Sequence, residues 1–315
     1  MKRIIIIFLL TGLFGGVFSQ QQPQFNMYMF NKSVLNPAAS GVAGAVCISG
    51  FGRSQWMGYS DETETSVNPR TFGLAFDMPV YAIKSGAGLM IRYDLIGYEK
   101  NLDVRLNYAF HHVFSNNHML SAGLSLDFLN KSIDFTELYP AEPDPSLTGT
   151  GVESSTMTDV GLGVHYRIPR KFYAGFSVAN ILGSSAEIGG PEYTLARHYY
   201  LMSGYEIRLE DKHYRSVVVT PGFLLKASKG VIDVDINAIV TYNDFLWGGL
   251  VYRVENAIGV MAGVTYYGFS VGVSFDYTMS KNFPANRSSL EAFVKYCYPI
   301  FPGVVKKSGY NTRNL

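Results

Sequence analysis

The sequence predicts an all-β fold: a transmembrane antiparallel β-barrel of about fourteen strands with an irregular segment ahead of it. Three observations predict it. Apolar and polar residues alternate through about fourteen segments, the period of a strand with one apolar face. Many segments run nine to thirteen residues. Soluble strands usually have roughly five or six, whereas a tilted bilayer crossing takes roughly nine to eleven. Finally, the connections alternate short and long, as barrel turns and loops do.

Residues 1–19 read as a cleaved export signal. Lys2 and Arg3 make a basic start, Ile4 to Leu13 an apolar run, and Val17-Phe18-Ser19 supplies tolerated residues before Gln20. A membrane anchor needs roughly twenty apolar residues. No Cys follows the run, which argues against a lipoprotein.

Residues 20–45 show neither helical nor strand periodicity, yet Phe25, Tyr28 and Phe30 are costly to leave in water, roughly 1.5–3 kcal/mol each. This segment is expected to tuck into the barrel mouth or lie along the inner wall as a plug, with Pro23 and Pro37 fixing extended kinks. The alternative is a lead-in packed on the periplasmic rim.

The barrel is expected over 46–298, with a tail at 299–315. Strand segments fall near 46–56, 70–78, 86–95, 99–113, 118–130, 157–167, 172–180, 196–209, 214–227, 231–242, 245–254, 256–266, 268–279 and 288–298. In 102–110, Leu102, Val104, Leu106, Tyr108 and Phe110 share one face, and Asp103, Arg105 and Asn107 the other. Ile232, Val234 and Ile236 likewise oppose Asp233, Asp235 and Asn237, and Phe275 and Tyr277 oppose Asp276. A soluble sandwich also alternates, but a closed ring of about fourteen strands is too wide for side chains to fill. Its apolar face must look toward lipid, and its polar and glycine-rich face inward.

Asp103, Arg105, Asp159, Arg167, Asp233, Asp235 and Asp276 are therefore expected to face the lumen. Mixed signs there favour ion pairs and a narrowed or plugged barrel over a selective pore. Short connections at 79–85, 114–117, 168–171, 210–213 and 243–244 read as periplasmic turns. The long excursions, 57–69, 131–156, 181–195 and 280–287, fall on the other parity, where a few turns such as 228–230 are short too.

Composition agrees with this reading. The chain has 22 Tyr and 21 Phe but only 2 Trp, and 16% of its residues are charged. A net charge of +1 argues against nucleic-acid binding through a basic patch. No run of eighteen apolar residues follows position 19, so no transmembrane helix is expected.

Cys47 begins the first strand and Cys297 ends the last. Barrel closure makes those strands neighbours, with both residues inward and near the periplasmic rim. A disulfide, or at least close approach, is expected in an oxidising compartment; two separate small residues are the alternative.

Catalytic chemistry finds little support. Gly268-Phe269-Ser270-Val271-Gly272 fits G-x-S-x-G, but that motif needs a strand-to-helix turn and here lies within a strand pattern. His111, His112, His118, His165, His198 and His213 form no cluster with zinc spacing. No enzyme activity, metal or cofactor is expected.

One ordered set of motifs runs through nearly the whole mature chain. It begins with Pro23, Gln24, Phe25, Tyr28, Met29, Phe30, Asn31, Leu35, Asn36, Pro37, Ala38 and Gly41, departing from the usual pattern at Ala39-Ser40. Arg53, Gln55, Trp56 and Gly58 form an R-x-Q-W-x-G element. Then come D-x-G-x-G-x-x-Y from Asp159 to Tyr166, FYAGFS at 172–177, RHYY at 197–200, YN at 242–243, WGG and YR within 247–253, FDYT at 275–278 and SSLEAFVKY at 288–296. In that order they resemble the PorP/SprF family of outer-membrane proteins associated with type IX secretion.

The resemblance implies a non-enzymatic accessory in the outer membrane of a Gram-negative bacterium. Such a protein assists secretion or surface attachment of adhesin-type cargo, a theme that extends to gliding motility. Partners would be the bilayer, cargo at the extracellular loops, and periplasmic secretion components at the inner face. The Pro-, Gly- and Thr-rich loop 131–156 is the candidate cargo contact. The alternative function is an outer-membrane porin or hydrophobic-solute transporter.

Overall fold

The computed structural model describes residues 22–57, 68–137, 149–210, 216–279 and 288–300. The expected signal at 1–19, His213, Gly58, the middle of the 131–156 loop and the tail beyond Ile300 lie outside the described residues.

Fourteen antiparallel strands close into one barrel. They are β1 (Ala45–Ser54), β2 (Arg70–Val80), β3 (Ser85–Ile96), β4 (Glu99–Val113), β5 (Met119–Asp134), β6 (Val152–Ile168) and β7 (Phe172–Ala179). Then follow β8 (His198–Tyr205, continued by Ile207–Glu210), β9 (Ser216–Ser228), β10 (Val231–Tyr242), β11 (Leu246–Arg253), β12 (Ala257–Tyr266), β13 (Phe269–Thr278) and β14 (Ser288–Pro299). Each strand pairs with the next, and β14 returns to β1 in a register that sets Cys47 opposite Cys297 and Ser54 opposite Leu290.

β8 counts as one strand because its register on β9 is the same on both sides of the break, Gly204 facing Gly222 and Ile207 facing Val219. The interruption falls opposite Pro221, whose ring nitrogen has no hydrogen to give the ladder.

The hydrophobic pattern is inside out. Leu102, Leu106, Tyr108 and Phe110 are exposed on the outer surface, while Asp103, Arg105 and Asn107 between them and His111 just beyond are buried. Asp235 has no exposed surface and Phe275 is 45% exposed. Apolar side chains facing outward all round a closed ring are stable only in lipid.

β5 and β6 run further than their alternation suggests. They stay paired from Met119–Arg167 to Asp134–Val152, taking in residues expected to be loop. The 16 residues of β5 reach about 53 Å, well beyond the apolar band of about 25 Å. Past the bilayer the outward face meets water, so Ser132, Ser154 and Thr156 replace the apolar residues and the pattern fades.

At one rim the connections are tight, such as Tyr81–Ile83 with Lys84, residues 169–171 and residues 243–245, whereas the other rim mixes tight turns at 97–98, 229–230 and 254–256 with long excursions. In outer-membrane barrels the short turns face the periplasm, so the tight rim is the inner one. The opposite rim carries the 55–69, 135–151 and 180–197 connections, the last folded into a small hairpin of Ser185–Glu187 with Glu192–Thr194.

Candidate functional site

The lumen is the candidate site, and this chain's own residues 22–44 occupy it. Gln22 and Gln24 lie at the outer end: Tyr200 Oη donates to Gln22 Oε1 at 2.9 Å, Gln24 Nε2 donates to Asp233, and Lys226 donates to Gln24 Oε1. Gly44 lies at the inner rim, where its carbonyl accepts from Tyr81 Oη. Between these ends the segment makes three 3-10 turns, Tyr28–Phe30, Lys32–Val34 and Pro37–Ala39. The third starts well because Asn36 Oδ1 caps the Ala38 N–H at 3.0 Å and Pro37 opens the turn without an N–H to satisfy.

Nine backbone N–H groups pair within the segment through its turns, and the wall supplies partners for others where water would otherwise be needed. The Glu291 carboxylate accepts the N–H groups of Asn26 and Met27 at 2.7 and 2.9 Å. The carbonyls of Phe30, Ser33, Val34 and Leu35 accept from Lys295, Asn107, Arg105 and Ser177. Lower down, Asp77 accepts the Gly41 N–H and Arg167 donates to the Val42 carbonyl. Asn31 Nδ2 donates to Ser49 Oγ, and Asn36 Nδ2 to the Val164 carbonyl.

Packing adds to this. Met27, Tyr28 and Met29 share a dry cluster with Met202, Leu224, Ile239, Trp247, Met261 and Phe293 from the barrel wall. Phe30 stacks on Phe293 at 4.9 Å and tilts against Trp247 at 4.4 Å, and Phe25 meets Phe51 edge-on at 5.0 Å. Burial pushes the Tyr28 phenol well above its ordinary pKa, keeping it neutral where Asn237 donates to it at 2.6 Å. Backbone approach is close enough to require glycine in the wall: a methyl group on Gly123 would overlap the Ala38 backbone, and one on Gly86 the Ser40 carbonyl.

The inward wall of β8 to β14 is thus less polar than alternation suggests. Trp247, Met202, Leu224 and Ile239 sit inside because the segment gives them apolar partners. Sequence reasoning missed them, and it missed Glu291 as the acceptor that fixes Asn26 and Met27. The available signal was a bulky apolar residue such as Trp247 in a strand whose neighbours carry glycine: Gly263 and Gly272 clear space for its ring.

The charged residues expected in the lumen lie there and pair mainly between neighbouring strands. Arg53 bridges Asp276 at 2.7 Å and Glu291 at 3.2 Å. Arg92 pairs with Asp103 and Arg105 with Asp127, each at 2.7 Å, and Asp235 lies between Lys226 and Arg253. Asp159 instead holds the outer loop, accepting the N–H groups of Leu182 and Ser184 as well as Val160. Gln55 and Trp56 stand at the outer rim, where Gln55 N–H donates to the Pro69 carbonyl and Trp56 N–H to Ser289 Oγ. Pro23 and Phe25 line a small outer cavity.

Cys47 and Cys297 form a disulfide across the β1–β14 seam, with Cα atoms 4.1 Å apart. His111, His165 and His198 point inward from separate strands and are buried, and no metal-holding cluster occurs among the described residues. Gly268 occupies a turn with φ of +86°, and Ser270 follows on β13, hydrogen-bonded to Thr265. A strand, not a helix, continues from that motif.

Solved structures of similar fold are outer-membrane barrels at low identity. The Ralstonia pickettii toluene transporter TbuX is 10% identical, with a TM-score of 0.47, over 87% of this chain and 93% of that one. The Acinetobacter baumannii outer membrane protein Omp33 is 8% identical, TM-score 0.45, over 81% and 100%. The KdgM porin is 10% identical, TM-score 0.38, over 80% and 98%. A comparison with curated proteins finds no match. The family model described as "Type IX secretion system membrane protein PorP/SprF" matches residues 17–296. With the barrel, its outward apolar face and that match together, the chain belongs to the PorP/SprF family of type IX secretion system membrane proteins and resides in the outer membrane.

Proposed function

We propose that the protein serves type IX secretion as a closed, non-enzymatic binding platform, assisting secretion or surface attachment of an adhesin-type cargo. One observation carries the reading: residues 22–44 run the length of the lumen and are held there by polar side chains of the wall, Glu291, Arg105, Ser177 and Asp77 among them. A barrel so filled acts through its rims. Cargo engages the outer loops, with 149–151 and the 185–194 hairpin flanking the outer mouth. Periplasmic secretion components meet the short turns and the inner end of the segment. Loops on a rigid scaffold are suited to such recognition.

A second reading, passage of small apolar solutes, draws on the outer cavity between Phe25, Phe51 and Leu224. Affinity isolation of the tagged protein from outer membranes separates the two. Co-purification of a secreted adhesin or secretion subunits supports the platform. Solute uptake lost on deletion, with secretion intact and no partner retained, rejects it.

A further inference from the structure

Below the segment, a cavity of about 210 Å³ reaches the inner rim. Four cations line it: Lys32 on the segment, Arg167 and Arg170 near the end of β6, and Lys295 on β14. Three carboxylates also face it: Asp77, which accepts the Gly41 N–H, Glu206, which pairs with Arg208, and Asp244, so the lining carries one cation more than it carries anions. Lys32 forms no ion pair among the described residues, its recorded contact being the Tyr173 ring at 4.2 Å.

Two buried side chains facing the same cavity lack partners. His165 is 2% exposed with both ring nitrogens unsatisfied, and Trp247 is 3% exposed with an unsatisfied indole N–H. A neutral imidazole always carries one N–H, so each offers a donor with no protein acceptor. Buried donors left in that state are costly, and an acceptor entering the cavity relieves the cost. Met29, Phe30, Ile239 and the face of Trp247 give the cavity an apolar side, and Asn31, Thr220, Thr241 and Ser270 add uncharged polar groups elsewhere.

We propose that this inner cavity is an oxyanion-binding site, taking a carboxylate or phosphate group carried on an apolar body. Lys32, Lys295 and the Trp247 indole N–H hold the oxygens, His165 donates alongside, and Phe30 and Ile239 cover the apolar part. The site stands whether or not the barrel serves secretion. Binding is linked to protons: burial, with Arg167 and Lys295 nearby, lowers Lys32 to about 7, only partly offset by Glu206. An anion favours the charged amine, so affinity rises as pH falls through that value.

The test uses the full chain in detergent with Trp56→Phe, which leaves Trp247 as the reporter, since the chain has 2 Trp. Inorganic phosphate and hexanoate are titrated against chloride and hexylamine at equal ionic strength. Expected are saturable changes in Trp247 emission with either oxyanion but neither control, tightening from pH 8 to pH 6. Lys32→Met and Lys295→Met each weaken binding by about tenfold or more, the loss of one charge-assisted hydrogen bond. Lys32→Arg retains it. A response to phosphate alone assigns the site to the bare oxyanion, and a response to hexanoate alone to the amphiphile. Absence of saturation with both, or unchanged affinity in the Lys32→Met and Lys295→Met variants, overturns the proposal.

Discussion

Cys47 and Cys297, 250 residues apart in sequence, are bonded to each other at the inner rim, directly opposite in the β1–β14 ladder. The bond covalently closes the one seam whose strands are not joined by a turn. Cys47→Ser with Cys297→Ser should lower stability by about 2–4 kcal/mol, because a very long loop is freed in the unfolded chain. Urea unfolding of the purified protein in vesicles, with and without reductant, measures it. Equal midpoints for the variant and the oxidised parent would count against a role for the bond.

The plug makes a prediction about conductance. The parent protein in a planar bilayer should pass no steady current. Gly123→Val sets a side chain against the Ala38 backbone and should unseat the lower part of the segment, giving open bursts. Deleting 22–41 should give a permanently open channel. A deletion variant as silent as the parent would remove the plug from the account.

Arg53 compensates two buried carboxylates, Asp276 and Glu291. Arg53→Met leaves both charges buried without a cation and should cost about 3–5 kcal/mol in unfolding free energy. Adding Glu291→Gln should recover part of that loss, since the two positions are directly coupled. Strict additivity in the double mutant would contradict the coupling.

Lys32 makes stability depend on pH. Its amine is lowered to about 7 in the folded barrel from an ordinary 10.5. Between those values the unfolded chain binds more protons, so stability should rise with pH from about 7 to about 10 and level off on either side. Lys32→Met should be the more stable form at pH 7 and should lose that slope. Midpoints of heat-induced mobility shift at pH 6, 7, 8, 9 and 10 provide the comparison.

Much of this barrel was legible because lipid imposes a simple demand: Leu102 and Phe110 must look out if Asp103 and Arg105 look in. Where that demand lapses, so does the signal. Ser132 and Ser154 face outward from β5 and β6 beyond the bilayer and read as loop. Inside the lumen the same holds for another reason. Whether Trp247 or Leu224 faces inward depends on what fills the space, and a segment of 3-10 turns carries no periodicity to announce its partners. Pro23 to Pro37 were recognisable as too aromatic for a linker, but the pairing of Glu291 with Asn26 and Met27 joins residues 265 and 264 positions apart. No local pattern carries such a contact.

The segment is attached to β1 at Gly44, on the cell side, while Gln22 lies at the far end beside the outer mouth. Its tether therefore hangs downward. Traction from the periplasm draws the stopper out through the inner opening, last residue first, whereas force from outside drives it against its own anchor. Any unblocking is driven from within the cell envelope.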